Sequence, residues 1–98
     1  MTRVRIEGNY KKREVKLNGK VLSPERSLKV RQHSPDGFLW GYGGSGPTQL
    51  SLAILLEYCS NEQDAVRFTN KFKWDIIARL PRADVDFEID LSQFMVNE

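Results

Sequence analysis

The middle of the chain contains a segment that has to be buried on almost every side. In the ten residues that begin at Leu50, only Ser51 and Glu57 are strongly polar, so a helix here is apolar nearly all round. Pro47 suits the first turn of a helix, where its missing N–H costs nothing. We therefore predict a central, buried helix with Pro47 in its first turn. The chain has 98 residues, which leaves room for one small domain around that helix.

The first forty residues are predicted to consist mainly of β-strands. Thr2–Glu7 alternates polar and apolar residues, as a half-buried strand does. Asn18-Gly19 is the strongest short signal for a hairpin, because both residues tolerate a positive φ. The strands on either side of it are Glu14–Leu17 and Lys20–Leu22. The same alternation predicts further strands over Ser27–Gln32 and over the aromatic segment Phe38–Tyr42.

Acidic and apolar residues alternate near the end of the chain, which predicts a strand with one charged face. The carboxylates are those of Asp84, Asp86, Glu88 and Asp90. Residues 1–35 contain ten Lys and Arg against three acidic residues, whereas residues 36–98 contain five against ten. Arg3 and Arg5 alternate with apolar residues in the same way. We therefore expect the opposite charges of two strands to face each other across a sheet.

A second, amphipathic helix is predicted after the buried one. Ser60 and Gln63 form the pattern of a capping box at its start, and Pro81 marks its end. Its apolar residues recur every three or four positions: Ala65, Phe68, Phe72, Ile76 and Leu80. Two helices joined by a short turn pack as an antiparallel hairpin. The sequence thus predicts an α+β fold, a single domain over residues 1–98. In it, a small antiparallel β-sheet of N-terminal strands and one C-terminal strand is packed on one face by the two-helix hairpin.

The loop before the central helix is rich in glycine. Gly41, Gly43 and Gly46 have the G-x-G-x-x-G spacing of dinucleotide-binding folds, but the predicted second helix leaves no βαβ unit. The start of a helix still offers free N–H donors and a partial positive charge, and glycines let an anion approach. One hypothesis is that the loop binds a phosphate-bearing small molecule or nucleotide. Its ligand-binding residues are then Tyr42, Gly43, Gly44, Ser45, Gly46 and Thr48. The alternative is that the glycines only permit a sharp turn and close packing of the helix.

Two other features suggest macromolecular partners. A basic cluster near the first hairpin could contact a nucleic-acid backbone, or could protect the edge of the hairpin from aggregation. The cluster consists of Lys11, Lys12, Arg13 and Lys16. Trp74 on the second helix is predicted to lie in the core, while the alternative is an exposed anchor for a protein partner. A protein-interaction module or inhibitor is therefore the second hypothesis, and nucleic-acid binding the third.

Two segments of the chain resemble those of a known family. They are the glycine-rich segment Trp40-Gly-Tyr-Gly-Gly-Ser-Gly-Pro-Thr-Gln-Leu50 and the segment Phe72-Lys-Trp-Asp-Ile-Ile-Ala-Arg-Leu-Pro81. Through them the chain resembles an uncharacterised bacterial family of domains of unknown function that is associated with phages, conjugative elements and other mobile DNA. The resemblance implies an accessory protein of a mobile element. It implies no catalytic residues.

The counts of reactive residues limit the chemistry that we expect. The chain has one cysteine and one histidine, so we expect no internal disulfide, no metal site and no cofactor. The free cysteine and the absence of an apolar leader at the N-terminus fit the cytoplasm, without a membrane partner. No pair of base and nucleophile and no carboxylate dyad is recognisable. We therefore expect a binding domain rather than an enzyme.

Overall fold

A single antiparallel sheet places the first and the last strand of the chain side by side. The computed structural model describes residues 2–34 and 37–94. The strands are β1 (Arg3–Asn9), β2 (Glu14–Leu17), β3 (Lys20–Val21) and β4 (Val85–Asp90). Their order across the sheet is β3-β2-β1-β4, so β4 pairs with β1 and forms one edge. The helices are α1 (Glu25–Val30), α2 (Ser45–Tyr58) and α3 (Glu62–Asp75), with short 3₁₀ turns at Ile77–Arg79 and Leu91–Phe94. The predicted α+β class is confirmed.

The β2–β3 hairpin has the turn that its dipeptide predicts. Asn18 has a φ of 51° and Gly19 a φ of 85°, the two positive values that a tight hairpin turn requires. The Asn18 side chain also accepts a hydrogen bond from the Arg5 N–H at 2.9 Å, which ties the turn to β1. Val15 and Leu17 are buried, whereas Val21, which pairs with the exposed Lys16, lies on the solvent side of the hairpin.

The expected pairing of opposite charges across the sheet is present between β1 and β4. Arg5 binds the carboxylate of Asp86 through two hydrogen bonds of 2.9 and 2.8 Å, and Arg3 lies 3.2 Å from Glu88. The hydrogen bond from Arg5 lowers the pKa of Asp86. These side chains lie on the solvent-exposed face, where ion pairs add little stability but fix how two strands align.

Helix α2 is buried along almost its whole length, as its composition predicts. Every residue from Gly46 to Leu56 is buried. The helix begins at Ser45, so Pro47 lies in its first turn, as predicted. The N–H groups of this turn have no acceptor inside the helix, so the missing N–H of proline costs nothing there.

The predicted strand over Ser27–Gln32 is wrong, because these residues fall largely within α1. The side-chain amide of Gln49, fully buried on α2, explains the difference. Its oxygen accepts hydrogen bonds from the N–H groups of His33 (2.6 Å) and Ser34 (3.0 Å). Its nitrogen donates to Ser27 Oγ (2.9 Å) and to the Arg31 carbonyl (3.1 Å). This tertiary contact requires a compact helical turn there instead of an extended strand.

The predicted strand over Phe38–Tyr42 is also wrong, since residues 37–44 pair with no strand. Side-chain contacts hold this segment instead. Trp40 is fully buried, its indole N–H donates to the Ala83 carbonyl at 2.9 Å, and its ring meets Tyr10 edge to face at 5.4 Å. A Cβ on Gly8 would come within 2.7 Å of the Trp40 ring, so the indole occupies the space beside β1.

Helix α3 is shorter at both ends than the sequence predicts. It begins at Glu62, and its cap is Asn61, whose side chain accepts from the Asp64 N–H at 2.8 Å, rather than Ser60. It ends at Asp75 and gives way to a 3₁₀ turn before Pro81, whereas the apolar spacing extended the helix to Leu80. The predicted stripe is present where α3 faces the core, at the buried Ala65 and Phe72.

We predict that Gln49→Leu destabilises the fold strongly. The variant keeps a side chain of similar size but leaves two partly buried N–H groups and two acceptors without their partner, which costs about 2 to 4 kcal/mol in all. Chemical denaturation measures this loss as a lower midpoint. The matched control is Gln63→Leu on the exposed side of α3, which should change stability by less than about 0.5 kcal/mol. Equal midpoints for the two variants would contradict the role of the buried amide.

A second prediction concerns acid stability. Hydrogen bonds from the Ser92 hydroxyl, the Ser92 N–H and the Thr2 N–H lower the pKa of Asp90 from 3.8 to about 2. A carboxylate whose pKa is lower in the folded state stabilises the fold above its unfolded-state pKa, and this stabilisation disappears as the pH falls through the folded-state value. We expect the denaturation midpoint to fall between pH 3.8 and about 2, and to fall less steeply in Asp90→Asn. Parallel slopes for both proteins would rule out this contribution.

Candidate functional site

The glycine-rich loop lies against the far end of α3 and the 3₁₀ turn that follows it. The Gly41 N–H donates to the Ile77 carbonyl at 3.0 Å, and Arg82 Nε donates to the Gly41 carbonyl at 3.3 Å. Gly41 has a φ of 90°, a conformation that residues with a side chain rarely adopt. The loop is therefore fixed to its neighbours before it enters α2.

Aromatic rings occupy the space that the loop glycines leave. A Cβ on Gly43 would overlap the Trp74 ring, and a Cβ on Gly44 would overlap the Tyr42 ring. Gly46 is buried, and a Cβ there would come within 2.9 Å of the Leu39 side chain. Internal packing is thus sufficient to explain why these positions are glycine. Approach of an anion is not needed to explain them.

The six predicted ligand-binding residues do not converge on one cavity. Tyr42, Gly43 and Gly44 are half-buried and Ser45 is exposed, while Gly46 and Thr48 are buried in α2. The Thr48 hydroxyl donates to the Gly44 carbonyl at 2.9 Å, so its single donor is already used.

Thr48 lines a small cleft together with residues of α3. That cleft has a volume of about 130 Å³ and is also lined by Arg31, His33 and Asn70. The amides of the first turn of α2 keep their general capacity for an anion, so ligand capture stays a prediction.

The prediction that Trp74 lies in the core is wrong, because its side chain is 55% exposed. Residues on a helix are separated by about 100°, so Trp74, two positions after the buried Phe72, points to the opposite side of α3. The spacing of the apolar stripe on α3 therefore already indicates that Trp74 faces solvent. Lys73 is buried instead, with 7% exposure. Its ammonium lies 4.5 Å from the centre of the Trp74 ring and 3.5 Å from the Gly43 carbonyl oxygen.

The loop therefore lies among aromatic rings and cations, of which Trp74 and Arg82 are exposed and Lys73 is buried. Arg82 lies over the Tyr42 ring, with 5.3 Å between the guanidinium carbon and the ring centre. We call Tyr42, Gly43, Lys73, Trp74 and Arg82 the Trp74 surface. It contains two positive charges and no carboxylate. The nearby carboxylate of Asp75 is paired with Lys71 at 2.9 Å.

The predicted nucleic-acid residues lie on a surface of mixed charge. Lys11, Lys12 and Arg13 are exposed at the turn between β1 and β2, and Lys16 stands opposite Glu7 on the exposed face of the sheet. Lys12 and Lys16 share a cleft of about 400 Å³ with four carboxylates. These are Glu7, Glu14, Asp84 and Asp86. Phosphate groups are repelled by such neighbours, so the geometry gives nucleic-acid binding less support than the sequence does.

Burial shifts the pKa of both the histidine and the cysteine of the chain. Burial, helped by Arg31 and Lys73, lowers the pKa of His33, which makes its imidazole a weaker base. Burial, with the negative charge of Asp64, raises the pKa of the Cys59 thiol, which makes it a poor nucleophile. Over residues 2–34 and 37–94, no three His, Cys, Asp or Glu side chains are grouped to hold a metal ion. In the same ranges no helix combines the length and the apolar character that crossing a bilayer requires.

Residues 6–96 match the model of one protein family, described as a family of unknown function (DUF6166). No curated protein and no solved structure matches the chain significantly. The family description names neither an activity nor an origin in phages or mobile elements. The mobile-element association therefore stays a prediction.

We predict that Gly43→Ala displaces the Trp74 indole from the loop. The added methyl overlaps the ring, and either the ring or the loop must move. The two tryptophans give two indole N–H signals in an ¹H–¹⁵N spectrum, and only the Trp74 signal should shift strongly. Ser45→Ala, at an exposed position of the same loop, is the control that should leave both signals in place. An unchanged Trp74 signal in Gly43→Ala would show that the ring does not rest on Gly43.

Proposed function

We propose that this chain, which belongs to the DUF6166 family of unknown function, is a protein-interaction module whose Trp74 surface binds an acidic segment of a protein partner. The proposal assigns it a binding role and no catalysis. It adopts the second of the hypotheses that the sequence leaves open.

The observation that carries the proposal is an exposed tryptophan that is nevertheless held in place. More than half of the Trp74 side chain faces solvent, while one part of the ring rests on Gly43 and the Lys73 ammonium lies over it. Tryptophan is the residue type most enriched among those that dominate the energy of protein interfaces. A side chain that is already positioned loses less conformational entropy when a partner covers it. Exposure combined with order is thus what a binding anchor requires.

The charges beside the ring determine the chemistry of the partner. Lys73 is buried, and the groups described next to its ammonium are a carbonyl oxygen and an aromatic ring, both neutral. This buried ammonium attracts a partner's carboxylate through its charge, without direct contact. Arg82 supplies a second cation at the same surface. An acidic segment with an apolar residue to cover Trp74 fits both features.

The other two hypotheses have less support from the geometry. Small-molecule sites are usually concave and offer free polar groups, whereas Ser45 is exposed and the Thr48 hydroxyl, which does line a cleft, already donates to the Gly44 carbonyl. The cations at the β1–β2 turn share their cleft with carboxylates. Phosphate capture and nucleic-acid binding are therefore kept as alternative outcomes of the experiment.

The test uses a phage-displayed library of random linear peptides, selected against the full chain. We expect the selected peptides to be rich in Asp and Glu beside apolar residues. Their affinity should fall by roughly thirtyfold in Trp74→Ala, as expected for an interface anchor. Val21→Ala is the matched control, since Val21 is the other large exposed apolar residue, and it should bind normally. Thermal unfolding of both variants shows that the fold is retained.

Two results would overturn the proposal. One is equal binding of the selected peptides by the natural chain and by Trp74→Ala. The other is a selection that yields no binding peptides, together with binding in one of two titrations, with small anions or with single-stranded DNA. Shifts of the Gly43–Gly46 amides on adding inorganic phosphate or ATP would favour small-anion capture. Salt-dependent binding of single-stranded DNA at Lys11–Arg13 would favour nucleic-acid recognition.

A further inference from the structure

The outer edge of β4 presents backbone groups that no strand within the described residues pairs. β4 is the last strand of the sheet, and its hydrogen bonds to β1 fix the direction of each residue. The Leu91 N–H donates to the Thr2 carbonyl at 2.7 Å, which makes that pair a hydrogen-bonded one. In an antiparallel ladder such pairs alternate. The N–H and C=O groups of Asp86 and Glu88 therefore point away from β1, toward the open edge.

The apolar side of β4 is also incompletely covered. Val85, Phe87 and Ile89 pack against the core but are only partly buried, in contrast to Val4 and Ile6 on the neighbouring β1, which are 1% exposed. A further strand beside β4 would extend the sheet and cover these three side chains. The edge thus has both unpaired backbone groups and apolar surface to offer.

A second copy of this chain is a poor occupant for that edge. Two β4 strands placed side by side would bring the carboxylates of one copy next to those of the other, and like charges on neighbouring strands repel. The outward carboxylates therefore protect the edge against self-association, as charged residues on edge strands commonly do.

A strand with basic residues at alternate positions is the complementary occupant, and the molecule already contains one such pairing. On its inner side, β4 pairs with the alternating arginines of β1, where Arg5 holds Asp86 and Arg3 contacts one oxygen of Glu88. Glu88 remains 58% exposed. Its second oxygen accepts no hydrogen bond from the described residues, so the same carboxylate can accept from a cation on the other side.

We propose that the outer edge of β4 binds an extended segment of a protein partner in which basic and apolar residues alternate. The segment adds a fifth strand to the sheet. Its backbone pairs with Asp86 and Glu88, its basic side chains reach the carboxylates, and its apolar side chains cover Phe87 and Ile89. This site is separate from the Trp74 surface and does not depend on it.

The test titrates the ¹⁵N-labelled full chain with the capped peptide Thr-Arg-Val-Arg-Ile-Arg-Val-Thr. We expect shifts and slower hydrogen exchange at the Asp86 and Glu88 amides, because these become hydrogen-bonded. Glu88→Lys should weaken binding at least about tenfold. Glu62→Lys makes the same charge change at an exposed position on α3 and should bind normally.

Two control peptides separate strand addition from simple charge attraction. A peptide with Glu in place of each Arg should not bind. A peptide with N-methyl groups on alternate residues, in both registers, cannot form the ladder and should bind at least about tenfold more weakly. Equal binding of the methylated peptides, or protection confined to residues outside β4, would overturn the proposal. Loss of the Val4 and Ile6 amide signals would also overturn it, since the peptide would then replace β1.

Discussion

The burial of α2 from Gly46 to Leu56 is the constraint on which the rest of the structure depends. Because all these residues are buried, the sheet and the other helices have to cover the helix. A helix in this position must also satisfy its polar side chains within the protein. Ser51 does so within α2, by donating to the Pro47 carbonyl at 2.8 Å, whereas Gln49 bonds to α1 and the residues after it. The buried amide of Gln49 thus holds α1 and the residues after it beside α2.

Local patterns predicted the parts of the fold whose cause is local. The two residues Asn18-Gly19 are enough to predict the turn geometry. The alternation of acidic and apolar residues is enough to predict the two faces of the acidic strand. The segment Ser27–Gln32 has a similar alternation, but its conformation is decided by a side chain that lies far from it in sequence. Ser23-Pro24-Glu25 is a local signal for the start of a helix, and it favours α1 over a strand at these positions. In the structure, Ser23 Oγ accepts a hydrogen bond from the Glu25 N–H at 3.2 Å.

The sequence points to the glycine-rich loop as a candidate site, but not to the side chains of the Trp74 surface that lie against it. The glycine loop is where the aromatic rings and cations meet, but the sequence does not show that the glycines accommodate rings. That contact joins Gly43 in the loop to Trp74 on α3, which lies far from it in sequence. The exposure of Trp74 was accessible from helical periodicity, because Phe72 fixes the buried side of α3. The general preference for burying tryptophan in a small core leads to the opposite prediction, that Trp74 is buried.

The pairing of Arg3 with Asp90 spans almost the whole chain, and this has a consequence for how the protein folds. The β2–β3 hairpin and the packing of α2 on α3 join neighbouring parts of the chain, so they can form early. The contact between β1 and β4 must wait until two distant segments meet, and such contacts slow folding. On the ribosome, β4 is also synthesised long after β1, so the sheet has at most three strands until β4 emerges. The arginines of β1 are then available to attract the acidic strand as it emerges.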